Sequence, residues 1–198
     1  MSKPIKFSLR FIIFCLFLML VASQYGEVLI KPLLPLYEWQ IGKIADEYRI
    51  LSFGLDNLGL ERVIHLKVTL VKPIYIAGQT LMPDARGVAE ASTNIGHIWQ
   101  MAVVCLAMIM AWPTKHLRAY FVRFAFAIPL LVLISLLDTP LALLASLWNL
   151  ILSNLAPGSF SPLIAWDNFL EGGGRLAIGI VAGLFSVWFA QIIQKPAI

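Results

Sequence analysis

The sequence predicts a polytopic α-helical membrane protein of about four spans, with both termini inside and a small β-rich insertion exported between spans one and two. Three observations predict it. Hydrophobic residues make up 60% of the chain and charged ones 13%, whereas about a quarter of a soluble domain is charged. Four stretches, residues 7–23, 98–112, 120–137 and 175–193, are apolar enough to read as spans, a crossing helix needing about 20 apolar residues. The intervening pieces are lopsided in charge. With the amino terminus inside, the cytoplasmic side holds Lys3, Lys6, Arg10, Lys115, Arg118, Arg123 and Lys195, and all 11 acidic residues fall on the other side. Lys and Arg in short loops set orientation while acidic residues count for little. The basic residues therefore carry the assignment, and the acidic zoning agrees with it.

Residues 1–23 read as an amino-terminal anchor with signal-peptide features. Lys3, Lys6 and Arg10 form a basic region, residues 11–21 an apolar one, and Val21-Ala22-Ser23 has the small residues of a cleavage site. The apolar character resumes at Val28-Leu29-Ile30, which favours a retained anchor; either way the following block, residues 24–96, is exported. This block holds seven basic residues against eight acidic ones, alternating in sign. A phosphate-binding surface needs a cluster, so nucleic acid is excluded and the pI of 9.2 reflects the membrane topology.

Within the exported block, Lys31-Pro32-Leu33-Leu34-Pro35 cannot continue a helix. Residues 36–46 then place Tyr37, Ile41 and Ile44 at helical spacing. That short helix, with Trp39, either lies at the membrane interface or packs on the sheet that follows. Period-two alternation predicts strands over 49–55, with Leu51, Phe53 and Leu55 on one face, and over 62–72, with Ile64, Leu66, Val68 and Leu70 opposed to His65, Lys67 and Thr69. Asp56-Asn57-Leu58-Gly59 supplies the turn. A third run, residues 74–81, follows Pro73 and contains Gly78, which suits an edge or bulged strand. Residues 82–94 are small, polar and turn-prone, a connector back to the membrane.

Residues 97–198 form the remaining bundle of three spans. The second span begins near His97 and ends at Trp112-Pro113, and Lys115, His116 and Arg118 make a basic inside loop. The third span ends at Asp138-Thr139-Pro140. Residues 141–152 are apolar but short for a span, which predicts a re-entrant or interfacial helix. A fifth crossing there would put Asp167, Glu171 and Arg175 inside and Lys195 outside, against the charge bias. The Pro- and Gly-rich loop 154–174 leads to the last span.

This topology gathers His97, Asp138, Asp167, Glu171 and Arg175 at one outer level, and ionisable groups at membrane depth are candidates for function. Ordinary interfacial duty is the alternative. Ligand types there could suit a metal, but no spacing such as HExxH supports one, so neither metal nor cofactor is expected. Neither Cys15 nor Cys105 lies in the exported block, which excludes a disulfide framework or CxxC motif there. Cys105 is a candidate nucleophile or a small buried hydrophobe. His97 is eight residues away, about 12 Å along a helix, so the two cannot hydrogen-bond within one straight helix. Gly179 and Gly183 form a GxxxG, which lets helices approach closely, for packing within the bundle or against a partner protein. The six tryptophans lie near predicted span ends or interfacial segments, as an aromatic belt does.

EYRILSFGL, ERVIHLKVTLVKPIYIAGQTL, ASTNIGHIWQ with the later AWP, and NFLEGGGRLAIG resemble the exosortase H-associated membrane proteins, in order over most of the chain. The resemblance implies an inner-membrane accessory of a bacterial exosortase system, in which a polytopic transpeptidase-like enzyme processes carboxy-terminal sorting signals. It does not imply that this chain is the enzyme. Exosortases are longer and carry a Cys, Arg and His (or second Arg) triad facing the outer leaflet, to which Cys105, Arg175 and His97 correspond by residue type alone. Expected partners are membrane lipid and a polytopic membrane protein, an exosortase. The alternative functions are an intramembrane thiol enzyme acting on exported proteins and a small transporter subunit.

Overall fold

The computed structural model describes residues 3–59, 61–84, 86–114 and 117–194. Lys115 and Lys195 of the expected basic side, and His116 beside them, lie outside the described residues. Among the described residues six α-helices and five strands follow one another: α1 (Lys3–Ile30), α2 (Leu34–Ile44), β1 (Tyr48–Leu58), β2 (Glu61–Leu70), β3 (Ile74–Ile76), β4 (Gln79–Leu81), β5 (Ala89–Asn94), α3 (Ile95–Ala111), α4 (Leu117–Leu155), α5 (Pro162–Phe169) and α6 (Arg175–Gln194). Among the described residues three helical runs are long and apolar enough to cross a membrane, Pro4–Ile44, Leu117–Leu155 and Pro162–Ile193, and the apolar α3 is shorter at 17 residues. The first run passes through Lys31–Leu33 as a single 3-10 turn with helical backbone on both sides. The helix stop expected at Pro32 and Pro35 therefore does not occur, each proline falling at the start of a helical segment where its missing N–H costs little. The small sheet is inserted after the first of these runs.

The chain forms two compact units. The first gathers the chain up to Gly26, Gly96–Ser135 and the chain from Gly173; the second gathers Glu27–Ile95 and Leu136–Gly172. In the first unit the α3 backbone is flanked on two sides. Phe7 of α1 meets Trp112, just beyond α3, edge-on at 5.7 Å, and a methyl group on Gly26 would lie 2.6 Å from Trp99 Nε1. Those two contacts align α1 antiparallel to α3. On another face Gly179 approaches Met101 and Val104, and Gly183 approaches Cys105 and Met108, so α6 runs parallel to α3. The GxxxG is thus used inside the chain. Phe126 of α4 meets Phe189 of α6 at 4.5 Å, and Cys105, Ile109, Ala127, Ala182 and Val187 form the buried centre.

The second unit is built on an antiparallel sheet of order β1-β2-β5. Central β2 buries Ile64, Leu66 and Val68 completely, the face its alternation predicts. Two expectations for this sheet need correction. The run 74–81 is not its third strand: Ala77 and Gly78 both take positive φ, and the run folds on itself as the β3–β4 hairpin. The third strand is β5, from the expected connector, with Leu66 opposite Ala91 and Lys67 opposite Glu90. In β1, Leu51 is an extra residue between the rungs Ile50–Val68 and Ser52–Lys67. This bulge turns Leu51 outward, 49% exposed, and puts Ile50 rather than Leu51 in register with the buried face.

Helix α2 contacts β1 and buries Tyr37 and Ile41, while Ile44 is half exposed. The helix thus packs on the following sheet, one of its two sequence readings. The remaining correction concerns α4. No break occurs at Asp138-Thr139-Pro140: residues 117–155 are one helix of 39 residues, about 58 Å long at 1.5 Å per residue. Pro140 removes one backbone donor, toward Leu136, and the helix continues. Its last turns carry Trp148, Ile151, Leu152 and Leu155, which join Ile74 and Ile76 of the hairpin, together with Ile164, in a second hydrophobic cluster.

Candidate functional site

The expected outer residues divide between the units: His97 and Arg175 belong to the first, Asp138, Asp167 and Glu171 to the second. His97, in the first turn of α3, is half-buried. Arg175 opens α6 directly after a π turn, Leu170–Gly174, in which Gly173 has φ +107°. Such a conformation favours glycine, and it ends α5 and re-aims the chain. Only 2% of Arg175 is exposed and only 3% of Asp138, which lies inside α4. Asp167 is half-buried in α5 and Glu171 exposed in the π turn. Asp138, Asp167 and Arg175 each engage a polar or electrostatic partner. A buried charge is costly unless paired, so the burial of Asp138 and Arg175 requires the partners that they have.

Cys105 is fully buried, among Ile109, Ala127, Ala182 and Val187. A reactive thiolate needs a cation, a helix amino terminus or a metal beside it. These neighbours offer only hydrocarbon. Among the described residues, no three His, Cys, Asp or Glu side chains gather as a metal site would require.

Two further polar arrangements carry no residue pattern in the sequence that marks them. Arg123, expected in the basic inside zone, is only 3% exposed. It donates from Nη1 to the Trp112 carbonyl at 3.1 Å and lies 5.5 Å from the Tyr120 ring centre. It therefore caps the carbonyl end of α3, where a helix dipole favours a cation. The signal for it was the short loop itself, which brings the start of α4 under the end of α3.

The second arrangement lies on the open face of the sheet. Glu90 accepts from Lys67 Nζ at 2.9 Å and stands 3.5 Å from His65 Nε2. Lys67, and secondarily His65, hold its carboxyl below the usual range. On either side of His65 stand Gly54 and Ser92, so the centre of this face is shallow. On the same unit Arg62 pairs with Glu27 at 2.9 Å and Lys72 with Asp46. A shallow open groove beside the sheet is lined by Pro35, Glu38, Trp39, Gly42 and Lys43 of one α2 face and by Ile50. These features suit surface recognition. They contain no nucleophile with a base beside it.

No protein-family model, curated protein or solved structure matches the chain.

Proposed function

We propose that this chain is a non-catalytic accessory or scaffold of a bacterial inner membrane, with four crossings, both ends cytoplasmic and the second unit on the periplasmic side. The partition of charge between the two units carries this reading. The sequence stretches of the first unit contain eight basic and no acidic residues, net +8. Those of the second contain seven basic and all 11 acidic residues, net −4. Each unit is held together by its own contacts, and the charge difference between them supports a reading in which the first is membrane-embedded with basic loops and the second solvated.

A scaffold needs apolar surface for a membrane partner, and α1 offers it. Ile12, Ile13, Leu16, Phe17, Met19 and Leu20 are all more than half exposed. The association with an exosortase rests on the sequence resemblance. The apolar enclosure of Cys105 supports an accessory over a thiol enzyme, and the burial of Arg175 and Asp138 supports a structural use of both.

Crosslinking in native membranes followed by capture of this chain tests the reading. Recovery of an exosortase is expected, and its absence from crosslinked material would remove the proposed association. Cys105→Ser separates the classes: processing of sorted proteins should continue, whereas its abolition in a folded variant would establish the thiol enzyme instead.

A further inference from the structure

We propose that α5 and the residue preceding its cap form an aromatic membrane anchor: Phe160, Trp166 and Phe169 seat in the lipid interface from which α6 enters the bilayer. The helix is fastened to its own unit on one side only. Ile164 packs into the cluster around Leu152 and Ala156, and Ser161 caps the first turn by accepting from the Ile164 N–H at 3.5 Å. At 100° per residue, Trp166 and Phe169 project about 200° and 140° away from Ile164, on the opposite face. Their rings pair at 5.5 Å and remain 39% and 50% exposed, while Phe160 is 83% exposed. A contiguous exposed aromatic patch marks a membrane or partner surface, and Trp and Phe are among the residues that interfacial helices bury in lipid.

The occupant follows from chain connectivity and charge. Only the five residues of the π turn separate Phe169 from Arg175 and the apolar α6, so this aromatic face is tethered within a few residues of a membrane-crossing helix. No Lys or Arg occurs from Leu136 to Gly174, which removes the electrostatic attraction to anionic headgroups that basic interfacial helices use. Insertion here is driven by the rings and requires no anionic lipid. The inference rests on α6 being a span, one part of the proposed function.

The test uses the full chain in phosphatidylcholine vesicles, with Cys15 and Cys105 replaced by Ser. Nitroxide labels are placed one at a time by Phe160→Cys, Phe169→Cys, Val181→Cys on the exposed side of α6, and Asn57→Cys at the exposed end of β1. Collision with oxygen and with a water-soluble nickel chelate is then compared. Labels at 160 and 169 should favour oxygen over the chelate several-fold relative to position 57, and be shallower than 181. Chelate access at 160 and 169 equal to that at 57, with 181 still in lipid, overturns the anchor alone. Shielding from both reagents indicates a protein contact and also overturns it. Chelate access at 181 removes the span itself. Phe160 lies outside the helix, so its label remains informative should Phe169→Cys fail to fold.

Discussion

Adding one methyl group at Gly179 should part α3 from α6. The new Cβ would lie 2.8 Å from the Met101 carbonyl oxygen, 3.2 Å from the Met101 Cα and 3.2 Å from the Val104 Cβ. Two of those atoms are backbone, so no rotamer change relieves the contact and the helices themselves must separate. Overpacking of this kind costs about 1–3 kcal/mol. Cys105 provides the readout, because its thiol is fully enclosed beside Ala182 and reacts with a maleimide only when this interface opens. In a Cys15→Ser background, Gly179→Ala should accelerate labelling of Cys105 by about 5- to 150-fold, each 1.4 kcal/mol of opening free energy being worth about tenfold. Gly183→Ala should behave alike, its Cβ falling 2.9 Å from Met108 Cβ and 3.2 Å from the Cys105 carbonyl. Gly42→Ala is the matched control. Nothing lies within 4 Å of its added methyl, and alanine in a helix interior is favoured by about 0.5–1 kcal/mol; labelling should not accelerate. Unchanged labelling in Gly179→Ala would refute the close α3–α6 contact.

Leu66→Ala, at a fully buried position of the central strand, should cost the second unit about 2–5 kcal/mol, measured by urea unfolding of the full chain in detergent; a loss too small to detect would contradict the burial. The Tyr48 hydroxyl is buried without a hydrogen-bond partner, and burial, then the Glu47 carboxylate, push its pKa from 10 to about 12. The fold favours the neutral phenol, so the associated stability is complete below pH 10 and is lost as pH rises toward 12. Tyr48→Phe should flatten alkaline unfolding across that window, and an unaltered alkaline profile would show that Tyr48 ionises freely. For sidedness, Asn57→Cys in intact cells should react with an impermeant maleimide and Arg118→Cys should react only after lysis; the opposite pattern would invert the proposed topology.

The legible parts of the fold are those where period and polarity reinforce each other. Ile64, Leu66 and Val68 alternate with His65 and Lys67, and β2 follows. Its partner β5 is not legible in the sequence, because Ala89, Ala91 and Thr93 supply β2 with small neighbours and carry almost no hydrophobic signal. The clue was electrostatic: Glu90 stands opposite Lys67. The third expected strand is a true β signal with another partner: Gly78, which suits an edge or a bulged strand, serves with Ala77 to reverse the chain. Leu51 shows the opposite weakness of a period-two reading. A single bulged residue shifts the parity, and Ile50 takes its place.

Along α4 hydropathy loses its meaning as a locator. The helix is apolar from Leu117 to Leu155, yet the boundary between the compact units falls between Ser135 and Leu136. Before it, Ala127 and its neighbours Phe124 and Leu131 belong to the cluster around Cys105. After it, Trp148, Leu152 and Leu155 serve the core beneath the hairpin. A leucine that faces lipid and a leucine that faces a protein core have the same transfer free energy, so no window average distinguishes them, and Pro140 suggested an interruption that the helix does not make. Charge does distinguish them, because an unpaired carboxylate is tolerated in water and not in either apolar setting. All 11 carboxylates fall within the second unit, among them Asp138, three residues past the boundary and 3% exposed. That residue is the one acidic side chain both buried and adjacent to the division. It engages a polar or electrostatic partner, so Asp138→Asn, which removes the charge and keeps the shape, should destabilise the protein by about 1–3 kcal/mol in urea unfolding, and an unchanged midpoint would refute a structural use of this carboxylate.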